Sequence, residues 1–153
     1  MKLFLVLALF GTLVCASAPS GLGQAPAKTG PAPATLRDPD LEKDAMHNLE
    51  VARHYFKLKK AYLAAIQRCE EVIAGNPTFA RIDEVLFIAG ESSLMLSKGK
   101  GKQTAKLSAD DLRKDAREYL SQLVNDYPDS PFRKQALEDL KDLGGPKPKD
   151  DKQ

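Results

Sequence analysis

Ala65-Ile66-Gln67-Arg68-Cys69-Glu70-Glu71-Val72-Ile73-Ala74-Gly75-Asn76-Pro77 and Ala116-Arg117-Glu118-Tyr119-Leu120-Ser121-Gln122-Leu123-Val124-Asn125-Asp126-Tyr127-Pro128 close on one pattern. Ala65, Cys69 and Val72 precede Pro77 by 12, 8 and 5 residues, and Ala116, Leu120 and Leu123 precede Pro128 by the same offsets. A small residue at the first position admits a neighbouring helix at close range. The larger apolar residues fill the space between helices, and the proline stops the helix that carries them. This spacing predicts a helix-turn-helix repeat, in which each unit buries its apolar face only against its neighbours. Such folds usually bind polypeptides.

Working outward, Asp38 is a good N-cap and Pro39 fits the first position of a helix carrying Leu41, Ala45, Leu49, Ala52 and Phe56. The chain is expected to turn near Lys59-Lys60. A second helix with Ala61, Ala65, Cys69 and Val72 ends at Gly75. A third spans about Ile82 to Ser97, with Leu86, Ala89, Gly90 and Leu94 inward. Lys98-Gly99-Lys100-Gly101-Lys102-Gln103-Thr104-Ala105-Lys106 reads as a solvated, flexible basic loop. It lacks the spacing of a phosphate-binding loop. Ser108-Ala109-Asp110-Asp111 caps a fourth helix bearing Leu112, Ala116, Leu120 and Leu123. Ser130-Pro131 opens a fifth, with Ala136, Leu137, Leu140 and Leu143 inward and Gly144-Gly145 ending it.

Four regions follow: a signal segment at 1–16, a Pro/Ala/Gly-rich tether at 17–37, a helical domain at 38–145 and a disordered charged tail at 146–153. Lys2, the apolar run from Leu3 and the small residues near Ala16 describe a secretory signal. The run is shorter than the ~20 residues a membrane span needs. Two exits compete. One is cleavage before Ser17. The other is lipidation at Cys15, with Val14 standing where Gly, Ala or Ser is expected. Cys69, on a core face, reads as a buried inert thiol rather than half of a disulfide.

A net charge of +2 gives no electrostatic case for nucleic acid. His47 and His54 are the only histidines. They lie about 10 Å apart along one helix, too far for one ion. No Ser-His-Asp or Cys-His arrangement can be argued, so no enzyme, cofactor, metal or small-molecule substrate is expected.

The quoted stretches resemble the tetratricopeptide repeat (TPR) over roughly Met46 to Leu143. With Pro77 at position 32 of a 34-residue unit, Leu49, Ala52 and Phe56 take the fourth, seventh and eleventh positions. Leu86, Ala89 and Gly90 are their counterparts in the second unit. Pro77 and Pro128 lie 51 residues apart, and the glycine-lysine loop absorbs most of the excess. Arg53 stands where Gly or Ala is usual. The resemblance implies an all-α short solenoid of two helix-turn-helix units and a C-terminal capping helix. It also implies an inner surface carrying His47, Glu50, His54 and Lys57, then Glu84, Phe87, Glu91 and Met95. Phe87 and Met95 are either a peptide anchor or covered by the terminal helix or tether.

Within that class, Asn76 to Gly90 and Ala116 to Pro131 are similar to central repeats of the BamD family, TPR lipoproteins of the outer-membrane β-barrel assembly machinery. The likeness implies a periplasmic protein tethered to the outer membrane, with that machinery or unfolded barrel precursors as partners. A periplasmic TPR group that coordinates cell-wall synthesis with constriction shares the Tyr-Pro-Asp-Ser-Pro junction and stays as an alternative. So does a purely structural subunit.

Overall fold

A computed structural model of the chain describes residues 37–104 and 106–149. The expected signal with Cys15 and the tether up to residue 36 lie outside the described residues. The described chain is all-α: α1 Pro39–His54, α2 Tyr62–Gly75, α3 Ile82–Ser97, α4 Ala109–Asp126 and α5 Arg133–Asp142, with no strand among the described residues.

Local chemistry sets most boundaries. The Asp38 carboxylate accepts from the Asp40 and Leu41 amides at 2.9 and 3.4 Å, and Pro39 needs no partner at the first position. Ser108 Oγ accepts from the Asp111 amide at 3.1 Å and donates to its carboxylate at 2.7 Å, opening α4. At the end of α5 the Gly145 amide donates to the Leu140 carbonyl and the Gly144 amide to that of Lys141. Gly144 has the positive φ that this C-terminal motif demands, and Gly145 after it has one too. The α1 helix does not simply stop. It widens into a π-helical turn at Tyr55–Lys59, and Lys60, at φ 52°, reverses the chain.

The two junctions that end in proline are built alike. The Asn76 and Tyr127 amides donate to the carbonyls of Val72 and Leu123. Phe79 and Ser130 then donate to Asn76 and Tyr127, and Ile82 and Arg133 to Phe79 and Ser130. Each of these three backbone bonds of the first junction recurs 51 residues later.

Successive helices pack on one another, and α1 also reaches α3. Ala45, Leu49, Ala52, Ala65, Cys69 and Val72 meet Val85, Ile88 and Ala89 in one cluster. Leu86 and Leu94 join Ala116, Leu120, Leu123, Ala136 and Leu140 in another. The α3 helix therefore feeds both clusters and is buried almost all round. The closest approach is at Gly90, where a Cβ would stand 2.6 Å from Leu120 Cγ. Among the packing residues, Phe56 is half-buried, while Pro77 and Pro128 are exposed at the turns.

Two expectations are corrected. The glycine-lysine loop is not simply solvated. Gly101 lies where a Cβ would meet the Tyr62 ring at 2.8 Å and the Lys60 carbonyl at 2.9 Å, and Gln103 Oε1 accepts from the Ala64 amide at 3.2 Å. The loop thus supplies the N-terminal cap that Ala61 cannot. Lys98, Lys100, Lys102 and Lys106 remain exposed. Residues 146–149 of the expected tail run along α4, held by polar contacts, and residues 150–153 lie outside the described residues.

Candidate partner-binding surface

The residues expected to line an inner surface divide into two sets. On α1 and the turn after it, His47, Glu50, His54 and Lys57 are all exposed. His47, Glu50 and His54 fall three or four residues apart on α1, so they share one face, and Lys57 follows in the π-helical turn. The His54 ring meets Tyr55 edge-on at 6.3 Å. Among the described residues no group of His, Cys, Asp and Glu could hold a metal ion.

On α3 the outward mapping is corrected. Glu84 is 6% and Glu91 5% exposed. Arg53 explains the first. Its Nε and Nη2 donate to the two Glu84 carboxylate oxygens at 2.6 and 2.7 Å, and Arg81 Nη2 adds a third bond at 2.6 Å. Arg53, where a small residue was expected, reaches from α1 to α3, and its planar fork matches the carboxylate. Burial pushes the Glu84 carboxyl up. The Arg53 hydrogen bonds and the charges of Arg53, Arg81 and Lys57 outweigh it and hold the group below its ordinary value. The bond to Glu84 correspondingly raises Arg53, against some desolvation.

Glu91 has the opposite environment. Burial first, then the neighbouring Asp139 carboxylate on α5, pushes its carboxyl up to about 8, against a small opposing pull from Lys98. Glu91 thereby favours its protonated form at neutral pH. Phe87 stacks on Phe132 at 4.8 Å, so the start of the α5 segment covers it. Met95 packs beside the cluster of Tyr62, Ile66, Leu96 and Leu112. The structure therefore brings the four α1-side residues together in the open and places the four α3 residues under neighbouring elements or half-covered.

Cys69 is buried, and desolvation pushes its thiol up to about 12, as an unreactive core cysteine requires.

Nothing in the sequence singled out a second polar face, on α4. Arg113, Arg117, Ser121 and Asn125 recur every four residues, so their side chains share a stripe. Each contacts the backbone of the returning chain. Arg113 Nη2 donates to the Asp142 carbonyl at 2.7 Å, and Arg117 Nε to that of Gly145 at 2.8 Å. The Lys147 amide donates to Ser121 Oγ at 2.8 Å, and Asn125 Nδ2 donates to the Lys147 carbonyl at 2.9 Å. The Lys147 ammonium reaches Glu118 at 3.0 Å and that of Lys149 reaches Asp126 at 2.8 Å. The chain from Asp142 to Lys149 thus runs parallel to α4. The four-residue spacing was the available signal, but its meaning depends on Gly144-Gly145 returning the chain to α4.

Among the described residues no helix is long and apolar enough to cross a membrane. No protein-family model, curated protein or solved structure gives a significant match to this chain.

Proposed function

We propose that the chain is a non-catalytic TPR-type scaffold of the bacterial envelope that binds polypeptide segments of the β-barrel assembly machinery or its precursors, in the manner of BamD-like proteins. The observation that carries the repeat is the recurrence of three backbone hydrogen bonds of the proline junction at a 51-residue offset. Ala65, Cys69 and Val72 and their counterparts Ala116, Leu120 and Leu123 are at most 1% exposed, as close-packed repeat positions must be. The envelope assignment rests on the likeness of Asn76–Gly90 and Ala116–Pro131 to that family and on the signal-like segment at 1–16. In this proposal the partner face is the exposed row of His47, Glu50, His54 and Lys57. Phe87, under Phe132, belongs to the core rather than to the anchor. The same stacking favours the structural-subunit alternative, and the Tyr127-Pro128-Asp129-Ser130-Pro131 junction favours the cell-wall alternative.

The test is a pull-down from gently solubilised envelopes with tagged full-length protein, beside a variant with His54→Glu and Lys57→Glu. Recovery of a β-barrel assembly component or its precursors, reduced by the substitutions, supports the proposal. Cell-wall enzymes without any barrel component would transfer the function to the alternative, and no partner at all would leave the structural role.

A further inference from the structure

The geometry points to the α4 groove beside Ser121 and Asn125 as a binding site for an extended, lysine- and proline-bearing partner segment, which the chain's own residues 146–149 occupy and which such a segment replaces. The site reads backbone, since one amide and one carbonyl of Lys147 are each satisfied by a side chain of α4. Any extended residue presents that pair, so the contact is tolerant of sequence. Selectivity comes from charge. Glu118 and Asp126 stand at the two ends and each takes one lysine of the Lys147-Pro148-Lys149 run. Proline between the lysines keeps the backbone extended and lowers the cost of ordering it.

Three features make the occupancy exchangeable rather than a fixed part of the core. No apolar side chain of residues 146–149 is buried, as Pro146 and Pro148 are exposed. The ion pairs are on the surface, with Lys147 and Lys149 side chains 41% and 65% exposed, and such pairs hold weakly. The segment also leaves its groove incompletely filled. A cleft of about 370 Å³ remains between it and Glu118, Ser121, Gln122, Asn125 and Asp126, room for bulkier side chains than the tail carries. The turn at Gly144-Gly145, held by Arg117 from below, stays in place when the tail lifts. The site is separate from the α1 face, and its test does not depend on the family proposed above.

The probe is a labelled peptide of residues 143–149, Leu-Gly-Gly-Pro-Lys-Pro-Lys, titrated into full-length protein. A full-length Lys147→Glu/Lys149→Glu variant, whose tail Glu118 and Asp126 repel, should bind the peptide about tenfold more tightly than the unsubstituted chain. That ratio corresponds to an effective tail concentration of about 1 mM set against a trans affinity of about 0.1 mM. Adding Asn125→Leu and Ser121→Ala should remove the binding with unchanged far-UV dichroism, and a Leu-Gly-Gly-Pro-Glu-Pro-Glu peptide should not bind. No binding by the released variant, or binding indifferent to Asn125→Leu or to the peptide's charge, would overturn the site. A concentration-dependent doubling of mass in the unsubstituted chain would instead make a second copy's tail the occupant and overturn the partner assignment.

Discussion

Replacing Gly90 by alanine sets two effects of known size against each other. Alanine is favoured over glycine inside a helix by about 1 kcal/mol, and Gly90 lies in the middle of α3 with ordinary helical backbone. Propensity alone therefore predicts stabilisation. The new Cβ, however, would lie 2.6 and 2.7 Å from Cγ and Cδ2 of Leu120 and 3.4 Å from the Ala116 carbonyl oxygen. Carbon atoms in contact prefer roughly 3.5–4.0 Å, so about 1 Å of displacement is needed. Leu120 cannot supply it by swinging outward, because it is fully buried in the cluster that also holds Leu86, Leu94, Leu123 and Leu140. The α3–α4 pair must move apart or Leu120 must leave its rotamer, at about 1–3 kcal/mol. Set against the gain of about 1 kcal/mol, the net loss is about 0–2 kcal/mol. In urea and thermal unfolding followed by far-UV dichroism, that is a fall in Tm of up to roughly 10 °C. The cycle with Leu120→Ala isolates the cause. Leu120→Ala alone costs about 2–5 kcal/mol, but in its background the clash is gone and Gly90→Ala should become neutral or favourable. A Tm that rises on Gly90→Ala alone, or two losses that simply add, would refute the close approach of these helices.

Glu91→Gln should stabilise the protein at pH 8 by on the order of 1–3 kcal/mol. The Glu91 carboxyl rises from 4.5 to about 8 on folding, so the native state holds a proton that the unfolded chain has lost. Its favourable contribution is complete below about pH 4.5 and disappears as pH climbs to about 8, and the Gln variant should lack that slope in chemical denaturation. Arg53→Met leaves the Glu84 carboxylate buried with Arg81 alone and should cost about 2–4 kcal/mol, much of it recovered in Arg53→Met/Glu84→Met. Because Glu84 is held below its ordinary value, its contribution is present above the unfolded pKa and is lost as pH falls through the folded one. The Arg53→Met penalty should therefore shrink in acid. Cys69, buried and pushed up to about 12, should resist a thiol-specific reagent at pH 8 until denaturant is added, and labelling at the native rate of a free thiol would contradict its placement.

Much of the helical layout was legible because helix ends are local events. Asp38, Pro39, Ser108, Gly144 and Gly145 act on backbone groups within five residues, and the predicted span Ile82 to Ser97 is the observed α3. The paired prolines and the offsets behind them were equally legible, since they mark where each helix must stop and which face it must bury. The polar face of α3 was not. Glu84 and Glu91 sit at spacings that read as outward, and nothing local distinguishes a solvated glutamate from one with Arg53 thirty-one residues away or Asp139 across the fold. The π-helical turn at Tyr55–Lys59, the Gln103 cap on α2 and the tail along α4 were invisible for the same reason.

The residue pattern alone was enough for an all-α reading, for where the helices begin and end, and for the small residues at which they touch. Caps, prolines and apolar spacing act over a single turn and need no distant partner. Long-range packing set the rest: α3 is enclosed on nearly every side, its two glutamates are buried in opposite charge environments, and residues 146–149 lie in a groove. Each depends on which distant charge, ring or backbone group the packing brings within a few ångströms, and burial amplifies the result.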